Sequence, residues 1–281
     1  MKARWLLNIV LLVIVLGLAA AAWFKPWHHA PAEYRLSALN AATVTTIRLQ
    51  HAGEPAATLE KHGGSWRITA PFPAPADRFE VDHLLAVLGV KTHDRMAATD
   101  LARFDLDKPQ TQLTIDGQRF SFGTVNTLWN KQYVETGNAV YLIPARYGAA
   151  LPATADDLID RQLLDANEVP VAFTFPDFSL AQQDGSWRAT PRRADLSQDD
   201  FNQLVNTWRH AQAIAAQPAG DSAALGQITI KFKDGRTLAL GIVKQQPDLV
   251  LLRPDRKIEY RFPQAVAARM LKLPPTKPAK P

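Results

Sequence analysis

The chain contains no cysteine, which excludes disulfides, thiol nucleophiles and thiolate metal sites. Its first 24 residues, MKARWLLNIVLLVIVLGLAAAAWF, contain no acidic side chain, and no later apolar run approaches theirs in length. The fourteen glycines form neither a Gly-x-Gly-x-x-Gly fingerprint nor a P-loop, and no serine sits in Gly-x-Ser-x-Gly. Phosphate-cradling loops and the hydrolase nucleophile elbow are therefore missing from the motif inventory. The seven histidines include no His-Glu-x-x-His or His-x-His, the spacings that a zinc site on one element uses.

The N-terminal segment carries only Lys2 and Arg4 as charges and is apolar from Leu6 to Phe24 apart from Asn8. About 20 apolar residues span a bilayer core at a rise of 1.5 Å each. Trp5 on one side, and Trp23 and Trp27 on the other, suit the interfacial belts, and the basic N-terminus is expected to stay in the cytoplasm. Residues 1–27 are thus expected to be a cytoplasmic end and inner-membrane anchor, crossing once through residues 6–24, with the bulk of the chain periplasmic. Ala19–Ala22 also offers an Ala-x-Ala cleavage site, so a removable secretory signal stays open as the alternative. In both cases the remaining chain is exported.

Charge excludes one class of partner. Without Lys2 and Arg4 the balance is 30 basic to 27 acidic residues, a net of +3, and Lys272, Lys277 and Lys280 in the C-terminal tail match that excess. A nearly neutral body lacks the broad basic face that nucleic acid binding requires. The basic, Pro-rich tail over residues 272–281 is expected to be solvated and disordered.

Within the exported part, the second half repeats the first. "GSWRIT" at 64 matches "GSWRAT" at 185, "DHLLAVL" at 82 matches "NQLVNTW" at 202, and "LTI" at 113 matches "ITI" at 228. "DGQRFSFG" at 116 matches "DGRTLALG" at 234, and "YLIP" at 141 matches "YRFP" at 260. The order is kept and the offset stays near 120, too long for a solenoid repeat and the size of a small domain.

Each copy reads as a strand (44–50; 171–175), then a hairpin (57–61 with 65–69; 178–182 with 186–190). The hairpins turn on Gly63-Gly64 and Asp184-Gly185, dipeptides that supply positive φ. An amphipathic helix follows, with Phe79, Leu84, Leu85 and Leu88 as its stripe in the first copy. In the second copy the stripe is Phe201, Leu204, Val205 and Trp208, behind a Ser197 cap with Asp200 three residues on. Four strands come next (112–115, 119–122, 131–135, 139–143; 227–232, 237–242, 248–252, 257–262), and a short helix closes each copy (145–150; 264–271). The fold expected is α+β: an N-terminal transmembrane helix, then two tandem, duplicated units of antiparallel sheet with a covering helix. Boundaries fall at a tether over 28–42, a first unit over 43–151, a connector over 152–168 with a helix around 155–164, and a second unit over 169–271.

The series "LEKHGGSWRIT", "APADRFEVDHLLAVL", "LARFDLDKP" and "AVYLIP" resembles the domain of unknown function (DUF) 4340 family, over residues 43–165. Its most distinctive piece is Leu101–Pro109, similar to the family's Leu-x-x-Tyr/Phe-x-Leu-x-x-Pro segment. Phe104 takes the aromatic place there, and Asp105 stands where a glycine is more usual. The second copy's "DSAALG" at 221–226 lacks both the aromatic and the proline. The resemblance implies a membrane-anchored envelope protein, with some members associated with ABC-type transport. It implies no reaction, cofactor or catalytic residue.

Ser65 and Ser186 read as turn caps. Asp156-Asp157 and Asp199-Asp200 read as helix-start acids rather than a converging acid–base pair. His28-His29 reads as a solvated juxtamembrane pair, and His83 as a helix boundary position. Trp66 and Trp187 are expected to be equivalent core residues of the two hairpins. Arg67 and Arg188, each following its tryptophan, are the speculative contacts, a pair able to clasp an anionic ligand or partner. With no cofactor implied, the expected role is non-enzymatic: an assembly or ABC-transport accessory acting through contacts with an envelope or transporter protein. The alternative is a binding module for a small ligand or envelope polymer in the groove between the repeats.

Overall fold

The computed structural model describes residues 2–23 and 32–273. His28, His29, Phe24 and the tail from residue 274 lie outside the described residues. The N-terminal helix α1 (Lys2–Trp23) is built from 22 residues, and every described side chain in it is exposed. Its continuous run of described side chains extends from Asn8 to Ala21. On the described residues no helix is long and apolar enough to cross a membrane, so the span expected over residues 6–24 is not met on them.

The first unit contains β1 (Tyr34–Arg35), β2 (Thr46–His51), β3 (Ala57–His62), β4 (Ser65–Ala70), β5 (Ala74–Pro75) and helix α2 (Arg78–Leu85). It continues through β6 (Lys91–Thr92), β7 (Arg95–Ala97), β8 (Thr111–Ile115), β9 (Gln118–Asn126), β10 (Lys131–Thr136), β11 (Ala139–Pro144) and α3 (Arg146–Ala149). The second unit contains β12 (Pro170–Thr174), β13 (Ser179–Gln183), β14 (Ser186–Thr190), α4 (Gln198–Arg209) and β15 (Ala215–Pro218). It ends with β16 (Gly226–Phe232), β17 (Thr237–Lys244), β18 (Leu249–Arg253), β19 (Ile258–Phe262) and α5 (Gln264–Leu271).

Two large sheets result. The first runs β5-β4-β3-β2-β8-β9-β10-β11-β7 and the second β14-β13-β12-β16-β17-β18-β19-β15. Removing β5 leaves the same strand order in the same chain order, with one helix inserted at the same point of each unit. The main ladders are antiparallel, as the alternation of Ile228, Ile230 and Phe232 with Thr229 and Lys231 predicts. The strands β7 and β15, which close the two sheets on β11 and β19, carry too little apolar pattern to be read from sequence.

Local chemistry explains the turns and caps. Gly63, Gly64, Asp184 and Gly185 all have positive φ, the geometry that two-residue hairpin turns require. Ser197 and Asp200 form a reciprocal capping box on α4, which satisfies two otherwise orphaned backbone donors. Helix α2 is shorter than expected and its buried residues are Val81, Leu84 and Leu85, with Val87 and Leu88 in the 3₁₀ turn that follows. Phe79 is not part of that stripe: it is 62% exposed and packs on His83 at 4.1 Å between ring centroids.

The segment Leu101–Pro109 forms a 3₁₀ turn, Leu101–Phe104, flanked by Asp100 and Asp105 in left-handed backbone conformation. That conformation explains why glycine is the more usual residue at the position of Asp105, and Asp tolerates it. Phe104 stacks near Tyr133 at 4.3 Å between centroids. A side chain at Gly123 would meet the Phe104 carbonyl at 2.1 Å, so the segment lies directly on β9.

The connector contradicts the expected helix. After a 3₁₀ turn at Asp156–Leu158 it runs extended and bridges Ala76 through Ile159 and Gln212 through Gln162. Its apolar residues Leu158, Ile159, Leu163 and Leu164 are all buried in one core that includes residues of both sheets. Extended pairing wins because the connector has backbone partners on both sides.

The two tryptophans of the repeated motif are not equivalent. Trp187 is 6% exposed and packs near Phe173 at 6.3 Å, beside the fully buried Trp208, whose Nε1 donates to the Met270 carbonyl at 2.9 Å. Trp66 is only partly buried and lies at the margin of the core. Trp187→Ala is expected to cost about 3–5 kcal/mol in urea unfolding, as core aromatic truncations do, while Trp66→Ala costs less than half as much. Equal losses at the two sites would contradict this placement.

Candidate functional site: a cleft between the two units

The connector's backbone places the two units against each other. On one side Asp77 donates its N–H to the Leu158 carbonyl at 2.8 Å and Asp160 to the Pro75 carbonyl at 2.9 Å. On the other, Leu163 donates to Ala211 at 3.0 Å and Ala213 to Arg161 at 2.9 Å. The Arg161 guanidinium reaches back to Asp77 at 3.9 Å and Glu80 at 3.5 Å, fixing the N-terminus of α2.

Between the units lies an open cleft of about 1270 Å³. The first unit contributes the β3–β4 hairpin, including Lys61, Trp66 and Arg67, together with Arg78 and Asp82 of α2. The second contributes Arg236 from the β16–β17 turn and Arg253, Asp255 and Arg256 from the β18–β19 turn. Asp160, Asp165 and Glu168 of the connector form its floor.

The floor is held by a buried ionic network. Arg253 and Glu168 are 2% and 3% exposed. Their contact is bidentate, with Nη1 donating to Oε2 at 2.9 Å and Nη2 to Oε1 at 2.7 Å. Arg253 also donates to the Leu163 carbonyl at 2.6 Å and to Asp255 at 3.1 Å. Glu168 accepts from the Asp165 N–H at 2.8 Å. Burial works against the charge on Arg253, but its hydrogen bonds with Glu168 and Asp255 outweigh that and raise its pKa. Arg256 donates to Asp165 at 2.5 Å and to the Tyr260 hydroxyl at 3.3 Å. These groups satisfy one another, so they shape the site rather than offering free valences.

Two groups in the cleft differ. Arg67 is exposed and makes no ion pair among the described residues. Among the described residues the Asp160 carboxyl accepts from the Gln162 N–H alone, at 3.0 Å, and burial pushes it above the ordinary 3.8, with Asp77 and Asp165 adding to the shift and Arg256 opposing it. Lys61 lies 6.0 Å from the Trp66 ring and donates to the Ala42 carbonyl at 3.2 Å, which steadies the aromatic wall. Among the described residues, no three His, Asp or Glu side chains gather into a group able to hold a metal ion.

The sequence placed Arg67 and Arg188 together as a clasp, and the structure separates them. Arg67 lines the cleft; Arg188 is exposed on β14 and lines none of it. The units present non-equivalent turns to the cleft, β3–β4 from one and β16–β17 with β18–β19 from the other. Equivalent residues therefore do not converge. Glu168, Arg253, Arg256 and Asp160 share no sequence motif and are joined only by folding. Asp156 and Asp157, read as helix-start acids, lie in the first turn of the 3₁₀ helix at Asp156–Leu158, where Asp157 also accepts from the Thr154 N–H and hydroxyl at 2.9 and 2.8 Å.

The fold and site define a two-unit antiparallel α+β protein with a polar cleft at the unit junction. A profile of the domain of unknown function (DUF) 4340 family matches residues 66–227, more than half of the chain, and the chain belongs to that family. The match starts at Trp66 in β4 and ends in β16, so it spans the connector with the cleft floor, together with Trp66 and Arg67 of the hairpin, rather than one repeat. No curated protein and no solved structure matches the chain.

Two consequences are measurable. Glu168→Ala strands a buried guanidinium and is expected to cost about 3–5 kcal/mol in urea unfolding, whereas Glu168→Leu with Arg253→Met loses much less; additive losses would mean the pair is not coupled. For Asp160, the folded carboxyl binds its proton more tightly than the unfolded one. The stability linked to it is therefore present below about 3.8 and is lost as pH rises through the higher folded value. Asp160→Asn keeps the acceptor for Gln162 and is expected to gain stability relative to the parent as pH rises through that window; a pH-independent difference would refute the assignment.

Proposed function

We propose that this protein is a membrane-anchored, non-enzymatic accessory of the cell envelope that engages another polypeptide in the inter-unit cleft. The observation that carries the reading is the cleft itself. It is larger than the few hundred to about 1,000 Å³ of a pocket that encloses a small molecule. Its lining mixes Lys61, Arg67 and Arg78 with Asp82, Asp160 and Asp165. A polyanion calls for a stripe of one sign, while a polypeptide carrying both charges matches a mixed wall. Trp66, partly buried on a hydrogen-bonded strand, has the character of an interface anchor.

The anchor is supported by α1. Lys2 and Arg4 are its only charges. The described apolar side chains from Ile9 to Leu18 remain exposed, a surface that water disfavours and lipid accepts. The positive N-terminus favours a cytoplasmic start and a periplasmic body. A second reading, a small anionic ligand or envelope polymer in the same cleft, is favoured by Arg67, whose guanidinium makes no ion pair among the described residues and lines the cleft with Trp66.

Replacing Arg67 with the photoreactive benzoylphenylalanine in cells, with the same replacement at Arg188 as the comparison, separates these outcomes. A discrete protein adduct in the membrane fraction from position 67 and not from 188 is expected. Adducts of equal pattern at both positions, or none at 67, would overturn the cleft as a polypeptide site.

A further inference from the structure

We propose that the β9–β10 hairpin tip is a second membrane contact, which inserts Leu128 and Trp129 into the lipid interface beside the anchor. The proposal rests on the anchored reading of α1.

The tip is apolar where the fold does not ask for it. Leu128 is 83% and Trp129 62% exposed, with Val125 at 41%. The corresponding β17–β18 turn of the second unit reads Gln245-Gln246-Pro247-Asp248, so the same hairpin closes with polar residues. The display is also built rather than loose. The Asn126 side chain accepts from the Leu128 and Trp129 N–H groups at 3.1 and 3.3 Å, and Asn130 takes a positive φ while its carbonyl accepts from Ala145 at 3.0 Å. A rigid turn presents the two side chains outward at little entropic cost.

The location names the occupant. The chain re-enters the described structure at Ala32, whose carbonyl contacts His93 Nδ1 at 3.3 Å. The next residue, Asp94, accepts from Lys131 Nζ, and Lys131 pairs with Asn126 across the base of the tip. The tip and the point where the chain departs towards α1 therefore lie at one end of the first sheet. Trp23 and Ala32 can be no more than about 30 Å apart even when fully extended, which keeps that end near the bilayer. The exposed cation Arg146 follows Ala145 and stacks on Tyr147 at 4.9 Å. Trp, Tyr and Arg side chains together are the set that settles at headgroup level.

The absence of cysteine makes the test direct. The full-length variants Leu128→Cys, Gln246→Cys and Ile14→Cys are each labelled with an environment-sensitive nitrobenzoxadiazole. They are then reconstituted in phosphatidylethanolamine–phosphatidylglycerol vesicles containing doxyl-labelled lipid. Labels at positions 14 and 128 are expected to emit blue-shifted and lose most of their intensity to the doxyl quencher, while the label at 246 behaves as in water. Quenching at 14 with an aqueous label at 128 overturns the tip contact and leaves the anchor standing. An aqueous label at 14 overturns the anchor and the tip contact with it. Equal quenching at 128 and 246 overturns the assignment to this hairpin.

Discussion

The connector's backbone is the constraint on which the rest depends. Between residues 158 and 163 it hydrogen-bonds to the first unit on one side and the second on the other, so neither unit closes its core without it. Buried backbone groups must be paired, and here each pairing also fixes the separation of the sheets. Leu158, Ile159, Leu163 and Leu164 add apolar burial to the same segment. At roughly 25 cal/mol per Å² of apolar surface removed from water, four such side chains contribute several kcal/mol. A linker has become core.

Glu168 and Arg253 complete that constraint at the C-terminal end of the connector. A buried ion pair adds little net stability compared with apolar packing, but it punishes misalignment because either partner alone is expensive to bury. Its bidentate geometry sets the β18–β19 turn against the connector in one register. Arg236, Asp255 and Arg256 then take their places around the cleft from that turn and its neighbour. The charged groups that the second unit and the connector bring to the cleft are thus by-products of a structural lock, apart from Asp160, while Arg67 on the opposite wall makes no ion pair among the described residues.

The elements with strong local patterns were legible in the sequence: the repeat, the two positive-φ hairpins, the Ser197 cap and the alternation along β16. The failures share one physical cause. Phe79 fits a helical stripe by spacing, yet α2 starts at the cleft margin and leaves that position in solvent. The connector has apolar residues that a helix could use, yet backbone partners from both units outcompete the helix. Arg188 copies Arg67 in sequence but not in surroundings. In each case long-range placement decided, and periodicity carries no information about it. The Glu168–Arg253 pair, 85 residues apart, is invisible for the same reason.

A repeated fold also separates what folding requires from what it merely permits. Features that both copies keep, the hairpin glycines, the strand order and the inserted helix, are those that close a sheet and its core. Features that only one copy carries need another cause. Trp66 and Trp187 hold the same place in the motif, but the second is buried while the first forms a cleft wall. The edge strands show the same divergence: β5 covers Arg67 and Ile68 through backbone pairing, while the Gln198 amide bonds both the N–H and the carbonyl of Trp187. Either device blocks edge-to-edge association, but only backbone pairing ties the motif strand to Ala76 and, through its bridge to Ile159, to the connector. The first copy's tryptophan and arginine are thereby held at the junction of the units, and the second copy's are released from it.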